Sequence, residues 1–477
     1  MSETKPVRPV VVGLAALLLL ELATPAAHAG GLTLPTLGVR ASGRGGAFVA
    51  GADDPLALWY NPAGLAAMAG RTRKHELLLD LAGIEHPVTY TRVDSGGNLQ
   101  DPVENDPQKL PHPNLIGVWS LDRQWVLGVG LMTPYASLDG YPEDGAQRYQ
   151  LVSLHNTTLA YIDASLGWKV SDKLWLGFGM SNLFVGFNTR VVLSSNPSQT
   201  TTAPENPEYD VVSELQETSF FTPSAQGGIQ YHPSDKLSLG ASLRLPYWVR
   251  ASGTVRVRLP SNGFFNGAHV EGESSDMSMT MPAVFRAGVE ARPHPRFRAE
   301  AGVDWEMWSQ QDKITLTPHD VRIEDQPGVG TYQIGALDIK RNLKDTIALK
   351  LGIETQPLPL LPVDIRAGYV YETGAAPDEY LSLISPDSNK HMLTAGIGFR
   401  VAHLRFDAMF AHAFLADRNV SLAGACLQQN NPIRTGDPDA ACDTTMQELP
   451  TPGHVYVNAG EYKSSWTVFG VGMSAGF

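Results

Sequence analysis

The chain is short of charge, shorter still of positive charge, and almost without cysteine. Charged residues make up 18% of its 477 positions, below the ~25% of ordinary soluble domains. Lys plus Arg number 36 against 49 Asp plus Glu, a formal net charge of −13. That balance argues against a nucleic-acid partner, which needs basic patches to neutralise phosphate. Beyond residue 29 no apolar run approaches the ~20 residues a spanning helix needs, and the mean hydropathy of −0.13 excludes a polytopic helical membrane protein. It does not exclude a membrane β-barrel, whose strands alternate apolar and polar. The two cysteines, Cys426 and Cys442, share one polar, Pro- and Asn-rich stretch, which suits a loop disulfide in an oxidising compartment. Catalytic signatures are also missing. The Gly-x-Ser-x-Gly string Gly472–Gly476 falls inside an alternating strand pattern and not at a strand-to-helix elbow, and there is no i, i+4 histidine pair and no Cys/His cluster, so neither an enzyme nor a metal or other cofactor is expected.

What the chain does have begins with an export signal. Residues 1–29 carry Lys5 and Arg8, an apolar run from Val10 to Ala23 broken only by Glu21, and the small-x-small site Ala27-His28-Ala29. This pattern reads as a cleaved secretory signal peptide.

The body, residues 71–477, alternates with period two. Phe469, Val471, Met473, Ala475 and Phe477 oppose Gly470, Gly472, Ser474 and Gly476. Segments ending or starting near Met180, Ala291, Phe297 and Ile347 repeat the pattern. Side chains on a strand alternate faces, and ~9–11 such residues cross a bilayer. Short turns at Asp122–Gln124, Ser171–Lys173, Ser234–Lys236 and His294–Arg296 alternate with long polar loops at 93–113, 194–218, 260–275, 319–341 and 423–461. Short turns on one side and long loops on the other are the mark of an outer-membrane barrel. The count of strands so bounded is about fourteen. The fold class is therefore all-β, a transmembrane antiparallel barrel in the outer membrane of a Gram-negative-type bacterium, with both chain ends on the periplasmic side. Trp119 with Trp125, and Trp168 with Trp175, bracket two short turns as an interfacial girdle would.

Residues 30–70 break the alternation. They hold Gly43-Arg-Gly-Gly-Ala47, Asp53-Asp54-Pro55 and Asn61-Pro-Ala-Gly64. Neither phosphate-loop spacing is met, and a compact, turn-rich segment leading into a wide barrel is best placed as a plug in the lumen. The run from Gly38 through Asp53-Asp54-Pro55 to Trp59-Tyr-Asn-Pro-Ala-Gly-Leu65 closely resembles the N-terminal hatch of the FadL/TodX family, outer-membrane transporters of long-chain fatty acids and aromatic hydrocarbons. Asp304-Trp…Trp308-Ser…Asp312-Lys, Leu343-Lys-Asp-Thr, Arg366-Ala-Gly-Tyr, Pro386-Asp-Ser and Tyr462-Lys-Ser-Ser extend the resemblance downstream. It implies a fourteen-stranded barrel, a plug, apolar ligand pockets near the outside, and lateral exit through a kinked strand into the bilayer.

The inward charges suggest how the plug is held. Arg286, Glu290, Arg298, Glu300, Asp304, Lys350, Glu354, Asp364, Arg366, Arg405 and Asp407 all fall in the periplasmic half of one wall. Buried charges need partners, and hatch residues Arg40, Arg44, Asp53 and Asp54 supply both signs. Gating is expected from the hatch, with Gly43, Gly45 and Gly46 in its first turn and Asn61-Pro62-Ala63-Gly64 as its pivot. Pro62 lacks an N–H and restricts Asn61, which favours a bend there. Gly128, Gly130 and Pro134 weaken pairing in the segment from Trp125 to Tyr135, the candidate lateral opening. The expected partners are a hydrophobic small-molecule ligand and outer-membrane lipid, with the barrel a monomer. A non-selective porin and a loop-based surface-interaction protein are the competing readings.

Overall fold

A computed structural model describes residues 36–94, 96–106, 111–134, 139–196, 206–357, 361–429 and 455–477. The signal segment 1–29, the first hatch residues 30–35 and Cys442 lie outside the described residues.

Fourteen antiparallel strands close into one barrel. They are β1 (His75–Glu85, continued by Val88–Arg92), β2 (His112–Ser120), β3 (Trp125–Met132), β4 (Thr158–Lys169) and β5 (Leu174–Ser194). Next come β6 (Asp210–Ser219 and Pro223–Ser234), β7 (Leu237–Arg244 and Tyr247–Arg258), β8 (Ser274–Met281 and Val284–His294) and β9 (Phe297–Glu306 and Lys313–His319). The set is completed by β10 (Leu337–Lys340 and Thr346–Thr355), β11 (Val363–Glu372), β12 (Lys390–Val401), β13 (Leu404–Leu415) and β14 (Gly460–Gly476). Each pairs with its sequence neighbour, and β1 closes the cylinder on β14 in the register Glu76↔Gly476 to Glu85↔Thr467. Closure leaves no free edge, which the hydrocarbon would not tolerate.

The distribution of polarity is that of a lipid-embedded cylinder. Leu77, Leu79 and Leu81, then Ile347, Leu349, Leu351 and Ile353, stand exposed along the outside, while Arg286, Glu290, Glu300, Lys350 and Arg366 are buried. In water this inversion would be ruinous; in a bilayer the outer face meets acyl chains and the charges face inward. Trp125 and Trp168 stack at 5.2 Å with rings 2° from parallel, across the β3–β4 register at the foot of the barrel.

Several segments expected as loops carry strand, among them Val103–Glu104 within 93–113 and His269–Glu271 within 260–275, and two do so over longer stretches. Within 194–218, the chain from Asp210 onward pairs with β5 up to Ser194↔Asp210. Within 319–341, Arg322–Gln326 and Gly330–Gln333 form a three-stranded sheet with His269–Glu271, and Leu337–Lys340 joins β9. These ladders are rich in Glu, Gln, Ser and Arg, so their polarity hid them from an apolar-alternation reading.

The lumen is filled from below by residues 36–70. This hatch is built from α1 (Val39–Ser42), α2 (Ala57–Tyr60) and a 3-10 turn (Pro62–Met68). Asn61 caps the last of these, its side-chain oxygen accepting the Ala63 N–H at 3.2 Å, with Pro62 at the first position where a missing N–H costs nothing. Leu56, Leu58, Leu65 and Phe48 are buried within the barrel.

Candidate functional site

The hatch meets the wall through buried ion pairs. Arg40 sits at the centre of one group: its guanidinium reaches Asp53 at 2.6 Å, Asp54 at 2.8 Å and, across the junction, Glu354 on β10 at 3.0 Å. Asp53 in turn accepts from Arg298 on β9 at 2.6 Å. Burial works against charge on Asp53, but the guanidiniums of Arg298, Arg40 and Arg292 outweigh it and hold the carboxyl well below the usual range. In the second group Arg44, wholly enclosed, pairs with Glu290 on β8 at 2.9 Å and Glu300 on β9 at 3.2 Å. Glu300 also accepts three successive hatch N–H groups, from Val49 (2.6 Å), Ala50 (2.9 Å) and Gly51 (3.0 Å). A Cβ on Gly51 would stand 1.9 Å from Glu290, so only glycine lets the backbone close on these carboxylates.

Not every wall charge touches the hatch through an ion pair. Arg286 leans on it through Trp59, its guanidinium 5.3 Å from the indole ring. Asp304 pairs instead with Lys350 at 2.6 Å and Arg286 at 3.3 Å. Arg366 binds Glu354, Asp364 and Asp407, and Arg405 binds Asp407 and Asp364. These residues brace the wall side of the junction, fixing Glu354 for Arg40.

The glycine and asparagine motifs are contact devices. Gly45 and Gly46 both adopt φ +66°, open to glycine at no cost, and the Gly45 N–H reaches Thr394 Oγ1 on β12 at 2.9 Å. Gly43 lies against Gly396 of the wall, and a Cβ on Gly64 would strike the Ala52 carbonyl. Asn61 is fully enclosed and donates to the carbonyls of Val49 in the hatch and Ile229 on β6, both at 3.0 Å. Wall glycines make room: a Cβ on Gly177, Gly228 or Gly368 would stand within 2.2 Å of hatch atoms.

Gly128 and Gly130 belong to the same set. Gly128 faces hatch leucines Leu65 and Leu58 and Gly130 faces Leu58, and β3 keeps an unbroken register with β2 and β4 through them. Pro134 lies buried just past the strand end. Cys426 is disulfide-bonded.

Sequence reasoning missed several partners. Asp80 on β1 accepts the Val39 N–H at 2.7 Å, Gln230 on β6 donates to Val49 and Ala52 carbonyls, and Arg244 on β7 lies 4.0 Å from the Trp59 ring. Each is an isolated polar residue on an inward strand face, visible only once facing was known. In the extracellular hairpin sheet His269, Glu271 and Glu324 offer ligand atoms within 4.8 Å of one another, a proximity that cross-strand pairing produces and linear spacing conceals.

Above the hatch the lumen turns apolar. Tyr90, Tyr462, Leu215, Val255, Met277, Met279, Leu316, Leu381 and Leu383 line one continuous buried cluster. At its edge Arg341 is buried and donates to Ser382 Oγ at 3.2 Å and to Ser385 Oγ. Its Nε has no hydrogen-bond partner, and among the described residues it forms no ion pair. The nearby Asp387 carboxyl is turned to the N–H groups of Ala375 (2.9 Å) and Ala376 (3.2 Å). Burial pushes that carboxyl up to about 7, against the opposing pull of Lys390 and these N–H groups.

A barrel of this strand number with a docked N-terminal hatch matches a known family. The family model described as outer membrane protein transport protein (OMPP1/FadL/TodX) matches residues 20–440. The chain belongs to this family. Among solved structures, a FadL homologue of Pseudomonas aeruginosa shares this FadL/TodX fold with a TM-score of 0.74 at 16% identity, over 94% of this chain and 100% of that one. The toluene transporter TodX of P. putida superposes with a TM-score of 0.62 at 16% identity, over 93% and 99%. The toluene transporter TbuX of Ralstonia pickettii gives 0.61 at 14%, over 93% and 99%. No curated protein sequence matches the chain. As a FadL/TodX barrel the protein resides in the outer membrane.

Proposed function

We propose that this FadL/TodX member admits hydrophobic compounds from outside the cell, gates their passage with the hatch, and releases them laterally into the membrane by passive diffusion, acting as a monomer. The ligand class it fits best is an apolar chain with an acidic head, such as a long-chain fatty acid. The observation that carries this is Arg341. A buried guanidinium without a carboxylate partner is an expensive feature unless something else supplies the charge. Placed beside Leu381 and Leu383 at the mouth of an apolar cluster, it can hold an anionic head while the tail lies among Met277, Met279 and Leu316. Methionines adapt to tails of different shape.

The hatch is the gate, docked by the Arg40 and Arg44 groups and pivoting at Asn61-Pro62-Ala63. Hydrophilic solutes are stopped because hatch and wall interlock backbone to backbone at the glycines named above. Protein purified in mild detergent and extracted for mass spectrometry should yield a bound amphipath with an acidic head. Recovery of neutral hydrocarbon alone would favour an aromatic or alkane substrate, as the names of the toluene transporters would suggest. Recovery of neither, together with steady ion conductance, would favour a porin.

A further inference from the structure

The extracellular hairpins carry a second set of convergent side chains, apart from the hatch and from Arg341. His269–Glu271 pairs with Arg322–Gln326 in the register His269↔Glu324, Val270↔Ile323 and Glu271↔Arg322. Side chains on a strand alternate faces, and directly opposed residues share one. One face therefore holds Val270 and Ile323. Ile323 is buried, and Val270 packs on the apolar cluster of the outer lumen. The other face holds His269, Glu271, Glu324 and Arg322 as a square of four, with His269 and Glu271 exposed.

The carboxylate oxygens of this face are divided between two neighbours. Arg322 takes one from each: Glu271 Oε2 at 3.0 Å, and Glu324 Oε1. The remaining oxygens, Glu271 Oε1 and Glu324 Oε2, both turn to His269 Nε2, at 3.7 and 3.8 Å. Those distances are too long for hydrogen bonds. A histidine that simply pairs with a carboxylate comes closer: elsewhere on the outer wall His319 Nε2 meets Asp276 at 2.8 Å. Two ligands of one Zn2+, each about 2.0–2.2 Å from the ion and near a tetrahedral angle, stand ~3.4 Å apart. The three ligand atoms lie within 4.8 Å of one another, so rotation of these side chains is enough to bring them onto one ion.

The surroundings suit a cation. Asp325 Oδ2 lies 3.8 Å from His269 Nδ1. A carboxylate on that side favours the proton on Nδ1 and leaves the Nε2 lone pair for a metal, the usual support of a metal-binding histidine. Arg322, by anchoring one oxygen of each glutamate, aims the other at His269. Three carboxylates against one guanidinium leave the face negative, which draws a cation in. One imidazole and two carboxylates, with a fourth position open to water, fit Zn2+ better than Ca2+, which takes oxygen ligands alone.

We propose that His269, Glu271 and Glu324 bind one Zn2+ ion on the outer face of this sheet, with Asp325 and Arg322 orienting the ligands. The site goes beyond the transport reading and does not depend on it. Its consequence is mechanical. The ion ties His269–Glu271 to Arg322–Gln326, strands that share only the three register pairs given above, and so fastens Val270 and Ile323 on the inner face, where Val270 packs on the apolar cluster.

The test is a calorimetric titration of the purified, chelator-stripped protein in detergent micelles with zinc chloride, beside His269→Ala, Glu324→Gln and His319→Ala. Hydrogen exchange of the barrel strands, equal in all four, is the folding control. The parent should bind one Zn2+ per chain. His269→Ala and Glu324→Gln should each weaken binding about tenfold or more, and His319→Ala should leave it unchanged. No zinc binding by the parent, or equal binding by the parent and His269→Ala, would overturn the site. Asp325→Asn should weaken zinc binding about tenfold while leaving hydrogen exchange of the zinc-free sheet unaltered; an unchanged affinity would remove Asp325 from the site. For the fastening, zinc should slow exchange at the Val270 and Ile323 amides about tenfold in the parent and leave it unchanged in His269→Ala. Equal rates with and without zinc in the parent would overturn the fastening.

Discussion

Glu300→Ala is the most searching perturbation of the hatch. The side chain serves three consecutive hatch N–H groups and Arg44, so its loss leaves buried donors stranded and Arg44 half-compensated by Glu290. Charge-assisted hydrogen bonds contribute about 1.5–3 kcal/mol each when measured singly. They are not additive, and removal of one partner from a buried pair costs about 3–5 kcal/mol in all. At 1.4 kcal/mol per decade, the ratio of docked to undocked hatch should fall by roughly two to three and a half powers of ten. Planar-bilayer conductance reports the undocked fraction, and hydrogen exchange over Val39–Met68 reports the loosening directly. The variant should show frequent open-channel events and faster exchange in the hatch, with the barrel strands unchanged. Glu461→Ala, which removes an exposed partner of Lys463, should change neither. A Glu300→Ala barrel as silent and as protected as the parent would refute ionic docking of the hatch.

Further outcomes follow from the same contacts. Asp53 is held ionised by three guanidiniums and its carboxyl lies well below the usual range. Its stabilising share is therefore present above the unfolded value of about 3.9 and lost only as pH falls through the lower folded value; conductance should stay closed at pH 4, whereas Asp53→Asn should leak at pH 7. Arg341→Gln should weaken binding of a fatty acid by roughly 10- to 100-fold, matching ~1.5–3 kcal/mol for a charged hydrogen bond, and leave toluene binding unaltered in a competition assay. Asp387 titrates at about 7, so the stability it contributes to its loop is full below the unfolded carboxyl value and lost as pH rises through 7. Protonation also removes a competing negative charge near Arg341. Fatty-acid affinity should therefore fall between pH 6 and pH 8, and Asp387→Asn should flatten that profile in fluorescence titrations.

The barrel was legible because its physics is periodic. Alternation at Phe297–Glu306 and Phe469–Gly476 places apolar residues outward, and the structure keeps that facing residue by residue. The inward charges were legible for the same reason: facing put Glu290, Glu300 and Glu354 on the lumen side, and buried charge demands partners. What stayed hidden depends on partners far apart in sequence. Arg341 sits among polar residues that read as a loop, and only the fold buries it beside Leu381 and Leu383. Pro223, Pro246 and Pro282 stand where β6, β7 and β8 change which face is buried, yet nothing in a single strand says that β7 stays paired with β8 there while its ladder to β6 is interrupted between Gln226↔Arg244 and Thr218↔Ser252. Gly128 and Gly130 looked like weak points of a strand. Their role in the structure is clearance for Leu58 and Leu65, which no local pattern encodes.

The central claim is that a plugged barrel passes apolar molecules and refuses polar ones. It is tested most directly by paired uptake into proteoliposomes carrying the purified protein, with a radiolabelled long-chain fatty acid in one arm and a labelled disaccharide in the other. The account expects saturable fatty-acid uptake above protein-free vesicles and disaccharide uptake no different from them. Disaccharide entry at a rate proportional to its concentration, with no saturable fatty-acid component, would contradict it.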